Sequence, residues 1–201
     1  MEMQSLSATV RTSRGKGSSR KLRANGQMPG VLYGPGIEST ALTVTPEDVV
    51  RILSTEYRRN AVIQLKLDTR QEFAIVKDLD VHPVTQAPVH VDFLRVEIDQ
   101  EMVVEVPVRT HGRALGVQMG GKLNVPIRSM RVRAKPSDIP ASLTIDVTSL
   151  KIGEMVEAGE VSLPDGVSLE MKSELRIVLV TEDRRATAEA RKASEGEEAK
   201  S

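Results

Sequence analysis

Cysteine and tryptophan are absent from the 201 residues, only four aromatics occur (Tyr33, Tyr57, Phe73, Phe93), and no apolar run exceeds five. Without cysteine there is no disulfide, no thiolate nucleophile and no Cys-ligated zinc, which fits a reducing cytoplasm. Without a long apolar run no membrane-spanning helix is expected. The opening MEMQSLSATV lacks a basic stretch followed by an apolar one, so no secretory signal is expected either. Four aromatics are too few for a base-stacking platform on single-stranded nucleic acid. What is present is 39% hydrophobic and 28% charged, the composition of a globular protein. The length allows one large domain or two small ones.

The formal net charge is zero, 28 basic against 28 acidic groups, yet the charge is unevenly spread. Residues 3–37 hold no acid and six bases: Arg11, Arg14, Lys16, Arg20, Lys21 and Arg23. All four aromatics precede residue 94. Two halves of different composition predict two domains, 1–95 and 96–182, with the junction near 96–101. Residues 183–201 are Ala/Glu/Lys-rich and read as a solvated helix or a disordered tail.

Alternation of Leu6, Ala8 and Val10 with polar residues predicts a half-buried strand. Ser18 or Ser19 is placed to cap a short helix that Asn25-Gly26 ends. Pro29-Gly30 and Gly34-Pro35-Gly36 read as turns around a strand at Val31–Tyr33. Thr45-Pro46-Glu47-Asp48 opens a second helix, with Val49, Leu53 and Tyr57 on one apolar stripe. Further strands are expected at Ala61–Leu67, from Phe73, and at Val89–Leu94, with a turn at Asp68-Thr69. The second half reads as nearly all β: 102–109, 123–134, 143–147, 167–171 and 175–180, with a turn at 163–166. The apolar register slips within 123–134, and a bulge near Arg128-Ser129 accounts for it. The fold class is mainly β with short helices.

The richest feature is the basic segment from Arg11 to Arg23. Gly15 and Gly17 permit close backbone approach, and Ser hydroxyls and Arg forks suit phosphate oxygens. The N-terminal amides of the following helix would add an anion site. Six unpaired cations contribute nothing to the stability of a solvated loop, so the segment points to structured RNA. Gly116–Lys122 approximates a phosphate-binding loop, but Leu123 stands where Ser or Thr should hold magnesium, and it reads as a mobile Gly-rich loop. His90 and Asp92 share one strand face but have no nucleophile or metal set beside them, so no catalytic residues and no enzyme are expected. Arg128, Arg131, Arg133 and Lys135 form a second cluster, either a solvated face or an RNA contact.

The string from Gly15 to Gly26, with Met28-Pro-Gly-Val-Leu-Tyr-Gly34, His82-Pro83 and Val89–Phe93, resembles the bacterial ribosomal protein L-twenty-five family. Gly116–Gly121, Asp138–Pro140, Ile145–Val147 and Leu163–Val167 resemble the extra domain of its longer Ctc/TL-five members. The resemblance implies a six-stranded N-terminal β-barrel plus a C-terminal all-β domain, a large-subunit ribosomal role in the cytoplasm, and 5S rRNA held at loop E. It implies RNA contacts from Arg11, Arg14, Lys16, Ser19, Arg20, Lys21 and Arg23, with Tyr33, Lys77, His90 and Asp92 at or beside the contact face. The position before His82, often basic in relatives, is Val81 here. Neighbouring rRNA and ribosomal proteins are the other implied partners; no cofactor, metal, membrane or small-molecule substrate is expected. An anticodon-binding-like RNA module and a stress-induced protein–protein adaptor are the alternatives.

Overall fold

The computed structural model describes residues 4–13, 15–67 and 70–182. Arg14, the Asp68-Thr69 turn and the tail 183–201 lie outside the described residues. Two compact units partition the chain: residues up to Val104 with Arg133–Ala141, and Glu105–Val132 with the residues from Ser142 onward.

In the first unit the chain runs β1 (Gln4–Ser7), β2 (Thr9–Val10), α1 (Lys16–Ala24), β3 (Met28–Gly34), β4 (Ile37–Val44) and α2 (Pro46–Leu53). A 3₁₀ turn (Arg58–Asn60), β5 (Ile63–Lys66), β6 (Gln71–Val81) and β7 (Pro88–Arg95) follow. These strands form one sheet in the order β1-β5-β6-β7-β3-β4-β2. Its two edges are consecutive pieces of the same segment: Gln4–Ser7 pairs parallel with β5, and Thr9–Val10 antiparallel with β4. One strand broken at the buried Ala8 therefore closes six strands into a nearly complete barrel, leaving little free edge. Leu6, Leu32, Leu42, Ile63, Leu65, Val91 and Phe93 fill the interior, and Val49 and Ile52 of α2 join the same cluster.

Several sequence expectations shift for local reasons. Pro29-Gly30 is strand, not turn, because β3 runs through it and Gly30 sits opposite Val91. A Cβ at Gly30 would lie 3.0 Å from Val91 Cγ1 and 3.1 Å from its carbonyl oxygen, so the close parallel pairing selects glycine. Helix α1 starts earlier than a serine cap would allow. Gly15 takes the N-cap position at φ 103°, a conformation open to glycine, and Ser18 Oγ donates back to the Gly15 carbonyl at 2.9 Å. Helix α2 ends at Leu53, so Tyr57 reaches the core from beyond the helix while Ile52 takes the buried place.

The second unit holds most of β8 (Met102–His111) and β10 (Ser129–Ala134), whose residues 102–104 and 133–134 fall in the first, together with α3 (Leu115–Gln118), β9 (Gly121–Asn124) and β11 (Leu143–Asp146). Then come β12 (Met155–Glu157), a 3₁₀ turn (Ala158–Glu160), β13 (Val167–Leu169) and β14 (Arg176–Glu182). Two sheets result, β11-β8-β10-β13 and β12-β14-β9. The register slip read within 123–134 is no bulge: β9 and β10 are separate strands in different sheets, and each keeps its own alternation. The Gly116–Lys122 segment is not a loose loop either. It folds as α3 and β9, and a Cβ at Gly116 would lie 2.7 Å from Ile152 N and 2.8 Å from Val180 Cγ1. That glycine is there for packing.

Candidate nucleic-acid interface

Helix α1 carries Lys16, Arg20, Lys21 and Arg23 of the basic segment on a nine-residue scaffold with no buried side chain and no acid in its first turn. At about 100° per residue, Lys16, Arg20 and Arg23 fall within about 60° of arc on one side. Lys16, Arg20 and Lys21 are exposed and have no ion pair among the described residues. No side chain caps the first amides of α1, so they face outward beside Lys16 with the positive end of the helix dipole. Gly17 has nothing within 4 Å of a notional Cβ, so the fold itself has no need of glycine there. Ser19, half-buried, opens the helical hydrogen bonding through its amide to the Gly15 carbonyl at 3.2 Å.

Two of the basic residues are anchored to the barrel. Arg23 Nε donates to the Val89 carbonyl at 3.1 Å, tying α1 to β7 next to His90. Arg11 Nε donates to the Leu42 carbonyl at 3.1 Å and its Nη1 to the Ser13 carbonyl at 3.0 Å. Part of the Arg11 guanidinium is thus engaged in holding its own segment on β4. Arg14 lies outside the described residues.

Beside α1 stands the outer face of β6, β7 and β3. The registers place Asp80 opposite His90, Asp78 opposite Asp92, Asp92 next to Val31, and Leu94 next to Tyr33. His90 Nδ1 and Asp92 Oδ1 are 2.9 Å apart, so the same-face reading of these two residues becomes a direct contact. Tyr33 is half-buried, and its phenol is pushed above the ordinary range first by burial and then by the Asp92 and Asp78 charges. Lys77 is exposed at a bulge, the extra residue between Val76 and Asp78. Asp78 and Asp80 share this face, and sequence reading missed them because nothing short of the strand register reveals which acids stand across from His90 and Asp92.

The face is therefore a hydrogen-bonding floor rich in carboxylates beside a helix of free cations. A phosphate is attracted to the helix and repelled by the floor, whereas 2′-hydroxyls and base amino groups can donate to Asp78, Asp80 and Asp92. Of the second basic cluster, Arg131 lies in the second unit, where its Nε is 3.3 Å from Glu105 Oε1 and both side chains are exposed. That pairing favours the solvated-face reading for Arg131. Among the described residues no three His, Asp or Glu side chains gather where they could hold a metal, and no helix is long and apolar enough to cross a membrane.

Comparison with known proteins gives a family for each half of the chain. Residues 6–93 match the Ribosomal L25p family model, and residues 101–184 match that of the ribosomal protein TL5 C-terminal domain. A large ribosomal subunit protein bL25 of Anaeromyxobacter sp. (strain K) is 39% identical over 175 residues, 87% of this chain and 73% of the relative. Those of Sorangium cellulosum and Rhizorhabdus wittichii are 33% and 34% identical, covering 94% and 98% of this chain and 83% and 94% of theirs. The relatives are ribosomal proteins, structural rather than enzymatic. With that identity across both halves, the chain belongs to the bL25 family of large-subunit ribosomal proteins, in the long form that carries the TL5 C-terminal domain.

Proposed function

We propose that this chain, a structural protein of the large ribosomal subunit, attaches to 5S rRNA through α1 and the outer face of β6, β7 and β3. The observation that carries the reading is the juxtaposition of unpaired cations on α1 with a rigid, donor-seeking floor at Tyr33, His90 and Asp92. Regular A-form RNA hides its base edges in a narrow groove. The stacked non-standard pairs of 5S loop E change groove width and phosphate spacing, a shape that strands held in a closed barrel can match. Lys16, Arg20 and Lys21 supply affinity and its salt dependence; Arg11 and Arg23, bound to carbonyls, position the segment and offer their remaining N–H groups. Ser19, Arg14 and Lys77 belong to the same proposed contact set.

On this reading residues 1–95 form the RNA-binding domain and residues 96–182 a domain that contacts neighbouring rRNA or ribosomal proteins, in the cytoplasm where ribosomes work. No cofactor or small-molecule substrate enters. The test is filter binding of the full chain to 5S rRNA and to a 5S variant whose loop E is rewritten as Watson–Crick pairs. Binding that falls at least tenfold on the rewritten RNA supports loop E as the target; equal binding to both removes it.

A further inference from the structure

We propose that Asn25-Gly26, the turn that ends α1, is a deamidation site, and that its conversion to aspartate or isoaspartate loosens α1 and lowers RNA affinity. The chemistry stands on the turn alone; its consequence for RNA rests on the RNA-binding reading above.

The chain holds three asparagines, Asn25, Asn60 and Asn124, in three different settings. Deamidation needs an open side-chain amide and a following backbone nitrogen that can reach it. Asn60 is only 8% exposed, and Asn124 precedes the β-branched Val125, whose side chain crowds that nitrogen. Asn25 is exposed, and its side-chain amide has no hydrogen-bond partner among the described residues. Gly26 follows it at φ 73° with nothing within 4 Å of a notional Cβ, so no side chain hinders the attack. One restraint stands: Asn25 has ψ 13°, and the Gly26 amide donates to the Arg23 carbonyl at 3.1 Å. Conversion therefore proceeds from the frayed last turn of α1, and helix ends open at low cost.

In the frayed state the Gly26 nitrogen attacks Asn25 Cγ. A bond forms between them, the Cγ–Nδ2 bond breaks, and ammonia leaves with the proton that the Gly26 nitrogen gives up. Water then opens the imide ring. Addition at Cγ gives aspartate; addition at the main-chain carbonyl gives isoaspartate, whose backbone is longer by a carbon. Either product sets a carboxylate at the negative end of the helix dipole, beside Lys21 and Arg23 of the last turn. Isoaspartate also breaks the spacing of the bonds that close the turn, from the Gly26 amide to Arg23 and from the Gln27 amide to the Leu22 carbonyl at 3.0 Å. That turn joins α1 to β3, which carries Tyr33. Bound RNA holds α1 closed and protects the site, so the mark accumulates on chains that are off RNA.

The experiment incubates the full chain in warm, mildly alkaline buffer, either free, bound to 5S rRNA, or unfolded in urea, and follows each asparagine by peptide mass spectrometry. Asn25→Gln is the unreactive arm, expected to keep its affinity on ageing, and Asn25→Asp separates the new charge from the lengthened backbone. Thermal melting verifies each fold. Asn25 is expected to convert first in the free folded chain, while Asn60 and Asn124 are still amides, and to convert more slowly on RNA. When the aged chain is offered limiting 5S rRNA, the bound fraction is expected to be depleted of converted chains at least about twofold, the low end of what an anion at a helix C-terminus is worth. Conversion in urea with none at Asn25 in the folded chain overturns the site. Converted chains that bind 5S rRNA as tightly as unconverted ones overturn the consequence and leave the proposed function standing. Wild-type binding to 5S rRNA no stronger than to tRNA overturns the proposed function and the consequence together, while the conversion itself is read by mass without RNA.

Discussion

The barrel unit and the C-terminal unit are both β-rich and apolar inside, yet they treat surface charge in opposite ways. On the barrel, α1 presents Lys16, Arg20 and Lys21 without an acidic neighbour in its first turn and without ion pairs among the described residues. In the C-terminal unit, Arg131 is matched across the sheet by Glu105. A cation paired on a solvated face contributes at most about 1 kcal/mol to the fold. One left unpaired on a fixed scaffold contributes nothing to the fold and remains available to a polyanion. On the proposed reading, that contrast is why recognition is assigned to the barrel even though the whole chain is neutral.

The comparison can be broken first through the cores. Phe93 is fully buried in the barrel and Met130 in the C-terminal unit. Phe93→Ala should remove about 3–5 kcal/mol from the barrel, and Met130→Ala about 2–5 kcal/mol from the other unit. If the units fold independently, calorimetry of the full chain will show each variant shifting its own transition; a single transition moved equally by both would join them into one cooperative body. A gentler probe is Gly116→Ala, whose new methyl meets the Ile152 backbone. Overpacking of about 1–3 kcal/mol should appear in the C-terminal transition, with 5S binding at wild-type strength.

Gly17→Ala sharpens the contrast from the other side. Its surroundings are open, so the fold should be unchanged or firmer by up to about 1 kcal/mol, while RNA affinity falls because the backbone can no longer approach as closely. Melting and filter binding on the same sample separate the two effects. The smallest effect concerns Asp146, where Thr148 Oγ donates at 2.6 Å and its amide at 2.9 Å. These bonds, the hydroxyl first, hold the Asp146 carboxyl below its ordinary value of 3.8. A depressed carboxylate stabilises the folded state above the unfolded value, and that contribution is lost as pH falls through the lowered one. Wild type and Thr148→Val should therefore differ more at neutral pH than below pH 3.8, as acid-dependent melting would show.

Much of the barrel was legible because its strands are amphipathic: Leu6/Ala8, Ile63/Leu65 and Val91/Phe93 alternate visibly, and the basic run to Arg23 stands out by composition. The geometry of the candidate site was legible where it is local. His90 and Asp92, two apart on one strand, meet as their spacing requires. It was hidden where it depends on register: Asp78 and Asp80 reach the floor through pairing between β6 and β7 and through a bulge. In the C-terminal unit, short strands separated by few residues made β9 and β10 look continuous, and only pairing with different neighbours parts them. Pro29-Gly30 misled because its glycine answers the side chain of Val91 across the sheet, a partner 61 positions away from Gly30.

The most direct test of the central claim is competition. Full-length protein bound to labelled 5S rRNA is challenged with excess unlabelled tRNA at two salt concentrations, beside the Lys16→Gln, Arg20→Gln variant. The account predicts wild-type binding that resists tRNA and a variant that binds more weakly with a shallower salt response. Displacement by tRNA as readily as by unlabelled 5S rRNA would contradict it, reducing the α1 face to a general polyanion surface.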